Sequence, residues 1–336
     1  MSSPRQSLTG AQLVALAALV VVLGLTAVFA FRILFVLFAG VLFALILRAA
    51  AGWVSRVTRL PYVAVLTALV LLGIGSTVLG GVLLVPRVGE QLETLSRELP
   101  KIIDGARDRL KETPVINHFL SPDAGAQPDP KKLAAAALAG LGGSVQVLSG
   151  LVVAFFIGVY GAAQPQMYSD AALAITPRRY ERHVERALKE TAHNLTRWLW
   201  GRILAMIFVG VSTSIVFHLL HIPLALTLGV FAGFLTFIEY AGAILSAFPP
   251  VLLGFSQSPT VGLAVLSAYV VLHVVEGYVI TPLLARASVH LPPALTLAAQ
   301  ALLGELCGIL GLTFSTPLFV VGVSAVKAFR EENARQ

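Results

Sequence analysis

His221-Ile222-Pro223-Leu224-Ala225-Leu226-Thr227-Leu228 returns 69 residues later as His290-Leu291-Pro292-Pro293-Ala294-Leu295-Thr296-Leu297, with six of the eight positions identical. The same offset pairs Ala232 with Ala301, Gly242 with Gly311 and Ser246 with Ser315. An Ala- and Leu-rich chain produces chance matches among its commonest residues. Shared His, Pro, Thr and Gly at one fixed period read instead as a duplicated unit.

Each unit has the same layout: a long helix (203–220, then 260–280), a corner marked by Pro, and two shorter apolar halves. Leu224 to Ile238 is 15 residues, about 22 Å of helix against a hydrocarbon core of about 30 Å. Such halves need not cross a bilayer. The breaks at Glu239-Tyr240-Ala241-Gly242 and at Gly304 to Gly311 then become the tips of re-entrant hairpins, with Tyr240, Gly242, Gly308 and Gly311 at the turns. Non-helical backbone at membrane depth is tolerated only where protein or a water-filled cavity surrounds it. An odd number of crossings between the units inverts the second relative to the first. Inverted repeats with interrupted helices are the pattern of secondary transporters, whose sites lie where the repeats meet.

The remainder of the 336 residues agrees with a membrane setting. The chain is 57% hydrophobic and 12% charged, with a mean hydropathy of +0.85, about half the charged fraction of a soluble domain. Uncharged runs cover 11–31, 33–47, 60–86 and about 145–163. The expected fold is therefore an all-α polytopic membrane protein: N-terminal helices followed by a C-terminal inverted repeat with two re-entrant helical hairpins. The sequence divides into N-terminal transmembrane helices (1–86), an amphipathic arm (87–132), a fourth transmembrane helix with a basic segment (133–200) and an inverted-repeat transport unit (201–336). Arg32 separates the first two apolar runs, giving two helices before Arg48, which can snorkel, and Trp53, which suits the interface.

The arm carries eight basic and eight acidic residues in 46 positions, so it lies in water. Leu92, Leu95, Leu99, Ile102, Ile103, Ala106 and Leu110 recur at helical spacing. It packs on its own membrane domain or on a neighbouring subunit, which leaves a homo-oligomer open, or it binds a partner. Arg48, Arg56 and Arg59, and then Arg178, Arg179, Arg182, Arg186, Lys189, Arg197 and Arg202, mark cytoplasmic segments. This places the N-terminus inside and the arm outside. The net charge of +7 follows from that topology rather than from nucleic-acid binding.

The stretch Gly277-Tyr278-Val279-Ile280-Thr281-Pro282-Leu283-Leu284, followed by Arg286, Val289, Leu291 to Leu297, Gly304, Gly308, Gly311 and Thr316-Pro317-Leu318, resembles the AI-2E (autoinducer-2 exporter, PerM-like) permease family. Glu276-Gly277 adds to the resemblance. It implies a transporter of the bacterial inner membrane, with export of autoinducer-2 or sodium (lithium)/proton antiport as the activities linked to such proteins. This chain departs from the pattern at two places. It has Glu239 where Pro usually opens a Pro-Tyr-Val-Gly turn, and Tyr278 where Asn usually follows Glu-Gly.

Three carboxylates, Glu239, Glu276 and Glu305, lie inside otherwise uncharged runs. A charge near the bilayer centre costs at least about 2.5–3.5 kcal/mol, so each acid should face a cavity, a partner or a proton. Burial disfavours their charged form, which makes coupling to H⁺ or Na⁺ the natural chemistry. The structural alternative is an acid paired with Arg286, Arg202 or a helix N-terminus. His273 stands three residues before Glu276, on the same helical face, placed to share a proton. Gln300, Thr227 and Thr296 line a path or bond a neighbouring helix backbone.

One cysteine, Cys307, excludes an intramolecular disulfide and a multi-Cys metal site. The sequence has no His-Glu-x-x-His, Walker A, dinucleotide or Gly-x-Ser-x-Gly motif. The expectation is a non-enzyme without cofactor or metal. Its surroundings are the lipid bilayer and a small-molecule or cation substrate. Three readings follow: a secondary exporter of small solutes, a Na⁺(Li⁺)/H⁺ antiporter, or a non-transporting scaffold acting through the arm.

Overall fold

The chain is described here by a computed structural model covering residues 10–79, 82, 145–285 and 292–333. The arm, His290 and Arg286 lie outside the described residues. All regular elements among the described residues are helical. In order they are α1 (Gly10–Thr58), α2 (Tyr62–Leu79), α3 (Val145–Ala163), α4 (Pro165–Ala174), a 3₁₀ turn (Arg178–Tyr180), α5 (Glu181–Leu219), α6 (Ala225–Leu235), α7 (Ala241–Gln257), α8 (Pro259–Val275), a π-helical segment (Glu276–Ile280), α9 (Thr281–Ala285) and α10 (Pro293–Asn333). Five stretches are long and apolar enough to cross a membrane, and α3 with α4, bent by 92°, forms a sixth candidate.

The two helices expected on either side of Arg32 are one. α1 runs 49 residues without a break, about 73 Å at the helical rise. Phe31-Arg32-Ile33 contains no turn residue, and arginine is a good helix former. The run before Arg32 therefore continues in line with the run after it instead of turning back. α1 stops at Arg59, whose φ of 60° is a left-handed C-cap, with Pro61 following.

Three apolar clusters hold the helices together. Leu47 and Ala51 on α1 pack with Val65 and Leu66 on α2 and with Ala162 on α3, and Tyr62 donates to the Ala162 carbonyl at 2.8 Å. The loop carrying Arg56 and Arg59 and the end of α3 that leads to the basic segment thus share one face. The charge pattern requires the same. Leu42 on α1 packs with Leu195 and Leu199 on α5 and Val320 on α10, and Asn194 bonds Ser324 at 2.9 Å across α5 and α10. Val209 and Phe217 on α5 join Leu228, Ala232, Leu253, Val265 and Tyr269 in the third cluster.

α6 and α7 form a hairpin whose limbs are 11 and 17 residues long. In α10 the helix is interrupted at Gly308, with φ 63° and ψ −143°, a conformation open to glycine. This break also reverses the chain. A Cβ added at Gly311 would lie 1.8 Å from the Leu303 carbonyl oxygen, whereas residues eight apart in a continuous helix are separated by about 12 Å. Gly242 stands in the same relation to the Leu235 carbonyl, also at 1.8 Å. The two hairpins therefore close on glycines one repeat apart, and both glycines are buried. Thr227 and Thr296, and Ser246 and Ser315, are likewise buried in both units. The outward limb of the second hairpin, 293–307, is too short to cross. Its return limb, 309–333, has the length to do so.

Candidate functional site

α5 buries a stripe of Leu195, Leu199, Arg202, Ala205, Val209, Thr213 and Phe217. Their spacing of three or four residues defines one helical face. Arg202 occupies a core position on that face, and its side chain is only 9% exposed. A guanidinium cannot shed its proton in this setting, so it must be met by acceptors. Its Nε donates to the Phe237 carbonyl at 3.1 Å. Its Nη1 lies 3.8 Å from Glu239 Oε1 and 3.8 Å from Glu276 Oε1. Both distances exceed a hydrogen bond, so the cation is shared between the two carboxylates and bonded to neither.

Glu239 is held at the tip of the first hairpin. Its carbonyl accepts from Ala241 N–H across Tyr240, whose φ of 54° and ψ of −61° make the strained form of γ-turn. Gln300 Nε2 also donates to that carbonyl, at 2.7 Å, and Thr316 Oγ1 donates to Glu239 Oε2 at 3.3 Å. Both of those side chains come from the second hairpin. One limb supplies Gln300 and the other Thr316, so the second hairpin clasps the tip of the first.

Glu276 opens the π-helical segment. Ser258 caps α8 by accepting from Val261 N–H at 3.1 Å, with Pro259 next to it. The helix then runs regularly to Val275. There the register slips: Thr281 N–H donates to the Glu276 carbonyl, five residues back, just before Pro282, which has no N–H to continue an α-helical ladder. Thr281 Oγ1 also donates to Glu276 Oε1 at 3.1 Å. Such bulges often mark functional positions. His273 Nδ1 is 3.9 Å from Glu276 Oε2, and its buried Nε2 has no partner among the described residues. The His273 ring lies 4.6 Å from that of Tyr269, whose hydroxyl bonds Ser246.

The structure thus brings together Glu239, Glu276 and His273. Glu305 is exposed on the outward limb of the second hairpin, three residues before Gly308, and makes no ion pair with any described residue. Tyr240 is exposed at the first tip, within electrostatic reach of Arg202, Glu239, Glu276 and Tyr278. Glu239 and Tyr278, the two departures from the resembled pattern, both lie within electrostatic reach of Tyr240. Arg202, which closes the basic segment and is one of the two arginines expected as a partner for the acids, is the one the described residues bring to Glu239 and Glu276. The signal for it is its fit to the apolar stripe of α5, where a charge has no reason to be unless paired. Among the described residues no group of three or more His, Cys, Asp or Glu can hold a metal ion.

Comparison with known proteins settles the kinship. Residues 16–331 match the family described as AI-2E family transporter. The chain belongs to that family. "Putative transport protein YueF" of Bacillus subtilis (strain 168) is 28% identical over 174 residues, covering 52% of this chain and 46% of the relative. "Putative transport protein YrrI" of the same organism is 25% identical over 166 residues, covering 49% of this chain and 47% of the relative. A "Putative transport protein" of Thermotoga maritima is 28% identical over 134 residues, 40% of this chain and 41% of the relative. The matches span about half the length of these relatives. Family membership and five or six apolar helices of spanning length make this AI-2E family member a multi-pass membrane protein.

Proposed function

We propose that this AI-2E family member is a secondary permease of the bacterial cytoplasmic membrane, moving a small solute past the Arg202–Glu239–Glu276 cluster. The observation that carries this reading is one buried arginine shared by two carboxylates on two other elements, the tip of one helical hairpin and a π-helical segment. In this reading the hairpins are re-entrant, dip from opposite faces and meet at the cluster. Their short limbs and glycine-closed tips support it. Membrane transporters place interrupted helices at their binding sites for the same reason: polar backbone at depth needs protein or a polar cavity around it.

A second reading, cation/proton antiport, is favoured by the charge balance. Two carboxylates face one guanidinium, so a single positive charge is missing, and a proton or a monovalent cation would supply it. The titratable groups around it are Arg202 on α5, Glu239 and Tyr240 at the tip, Tyr269 and His273 on α8, and Glu276 and Tyr278 on the π-helical segment. Proteoliposomes given a Na⁺ or Li⁺ gradient in one arm and an autoinducer-2 gradient in the other separate the two readings. Proton flux driven by the cation alone identifies the antiporter. Autoinducer-2 flux without cation-driven proton movement identifies the exporter. Neither flux in a protein that reconstitutes normally would contradict both.

A further inference from the structure

A second polar site lies away from the cluster, at the membrane end where α1, α2 and α3 converge. A cleft of about 790 Å³ opens there, lined by Arg48 and Gly52 from α1, Tyr62 from α2, and Gln164, Gln166 and Asp170 from the bend into α4. Arg48 and Asp170 are both exposed to this cleft and form no ion pair with each other or with any other described residue. Two opposite charges that share a cleft without pairing leave room for a ligand carrying both signs.

Its depth follows from the surrounding residues. α4 turns 92° away from α3 and buries none of its residues, as a helix lying along an interface does. Trp53, Tyr160 and Tyr168 are exposed nearby on α1, α3 and α4. Trp and Tyr collect at headgroup level because their rings have an apolar body and a polar edge. The Arg56 and Arg59 loop begins one turn further on, which sets the cleft on the basic face, the one the charge pattern assigns to the cytoplasm. The first turn of α4 also opens onto it, and no side chain caps that turn.

We infer that the cleft binds the headgroup of a zwitterionic aminophospholipid, with Arg48 on the phosphate and Asp170 on the primary ammonium. A purely anionic headgroup would satisfy Arg48 and be repelled by Asp170. A trimethylated amine would keep its charge but lose the N–H donors that a carboxylate accepts. Tyr62, whose hydroxyl already donates to Ala162, and Gln166 form the polar walls, and the acyl chains lie against the exposed apolar faces of α1 and α2.

The test is native mass spectrometry of the full-length protein, delipidated in detergent and then offered phosphatidylethanolamine, phosphatidylcholine or phosphatidylglycerol. Soluble glycerophosphoethanolamine serves as the tail-free control. One tightly retained phosphatidylethanolamine is expected, held better than the other two lipids, with the tail-free headgroup not retained. Arg48→Gln should weaken its retention by about fivefold, the effect of one basic residue near a headgroup, while Arg48→Lys keeps it. Asp170→Asn should erase the preference for phosphatidylethanolamine over phosphatidylglycerol. Equal retention of the three lipids by the unmodified protein overturns the proposal without recourse to any variant. Retention unchanged in Arg48→Gln and Asp170→Asn, or equal binding of the tail-free headgroup, overturns it as well.

Discussion

Gln300 donates its amide N–H to the backbone carbonyl of Glu239 at 2.7 Å, so a residue of the second hairpin fixes the tip of the first. The bond is buried on the Gln300 side and joins positions 61 apart in sequence. It also sets the angle at which Glu239 meets Arg202, because the carbonyl and carboxylate belong to one strained turn. The strain at Tyr240 persists only because its surroundings over-determine it, and Gln300 is part of those surroundings.

Gln300→Leu removes that donor and leaves the partly buried Glu239 carbonyl without its side-chain partner. The expected loss is about 1–3 kcal/mol of stability, read as a lower midpoint in thermal unfolding of the purified protein in detergent. Thr316→Val, which removes a longer bond of 3.3 Å, should cost less. An unchanged midpoint in Gln300→Leu would show that the two hairpins are not joined through this contact.

Arg202→Gln strips the shared cation from two carboxylates at once. Breaking a buried ion pair by removing one partner costs about 3–5 kcal/mol because the other charge is left uncompensated. The single variant should therefore accumulate poorly in membranes. Glu239→Gln and Glu276→Gln added to Arg202→Gln should restore much of the folded protein, since all three charges are then gone. Failure of the triple variant to recover would mean that Arg202 acts through packing and not through charge.

Gly242→Ala and Gly311→Ala each place a methyl group 1.8 Å from a backbone carbonyl oxygen of the opposing limb. Backbone cannot step aside as a flexible side chain can, so both hairpins must open, at a cost of about 1–3 kcal/mol or more. Gly322→Ala, with nothing within 4 Å of its new Cβ, is the control and should be neutral or slightly stabilising. Equal melting of all three variants would contradict the closed hairpins.

Much of this architecture is legible in residue spacing. The eight-residue echo between 221–228 and 290–297, with Gly242 and Gly311 at matching positions, points to two hairpins, because a repeat preserves the residues its backbone needs. The carboxylates Glu239 and Glu276 stand out because nothing else in their runs is charged. Arg202 is legible only as one of two candidate partners for the acids: six other basic residues precede it from Arg178 onward, and only the register of α5 separates a solvated charge from a buried one. Glu305 shows the converse. It looks equivalent to Glu239 by its uncharged neighbours, yet its position on the outer face of a hairpin limb leaves it outside the cluster. The join across Arg32 was illegible because helix continuity depends on the absence of a turn signal, which a single charge does not supply.

In the cation/proton reading proposed above, one proton or monovalent cation completes the charge of the Arg202–Glu239–Glu276 cluster. Infrared difference spectroscopy of the lipid-reconstituted protein during a pH titration measures this through carboxyl and imidazole bands. Acidification should protonate one group in the unmodified protein, with Na⁺ or Li⁺ competing for the same site. The signal should vanish in Glu239→Gln and Glu276→Gln, where one carboxylate already balances Arg202, and survive in Glu305→Gln. A titration that is unchanged in both cluster variants, or lost only in Glu305→Gln, would contradict the account.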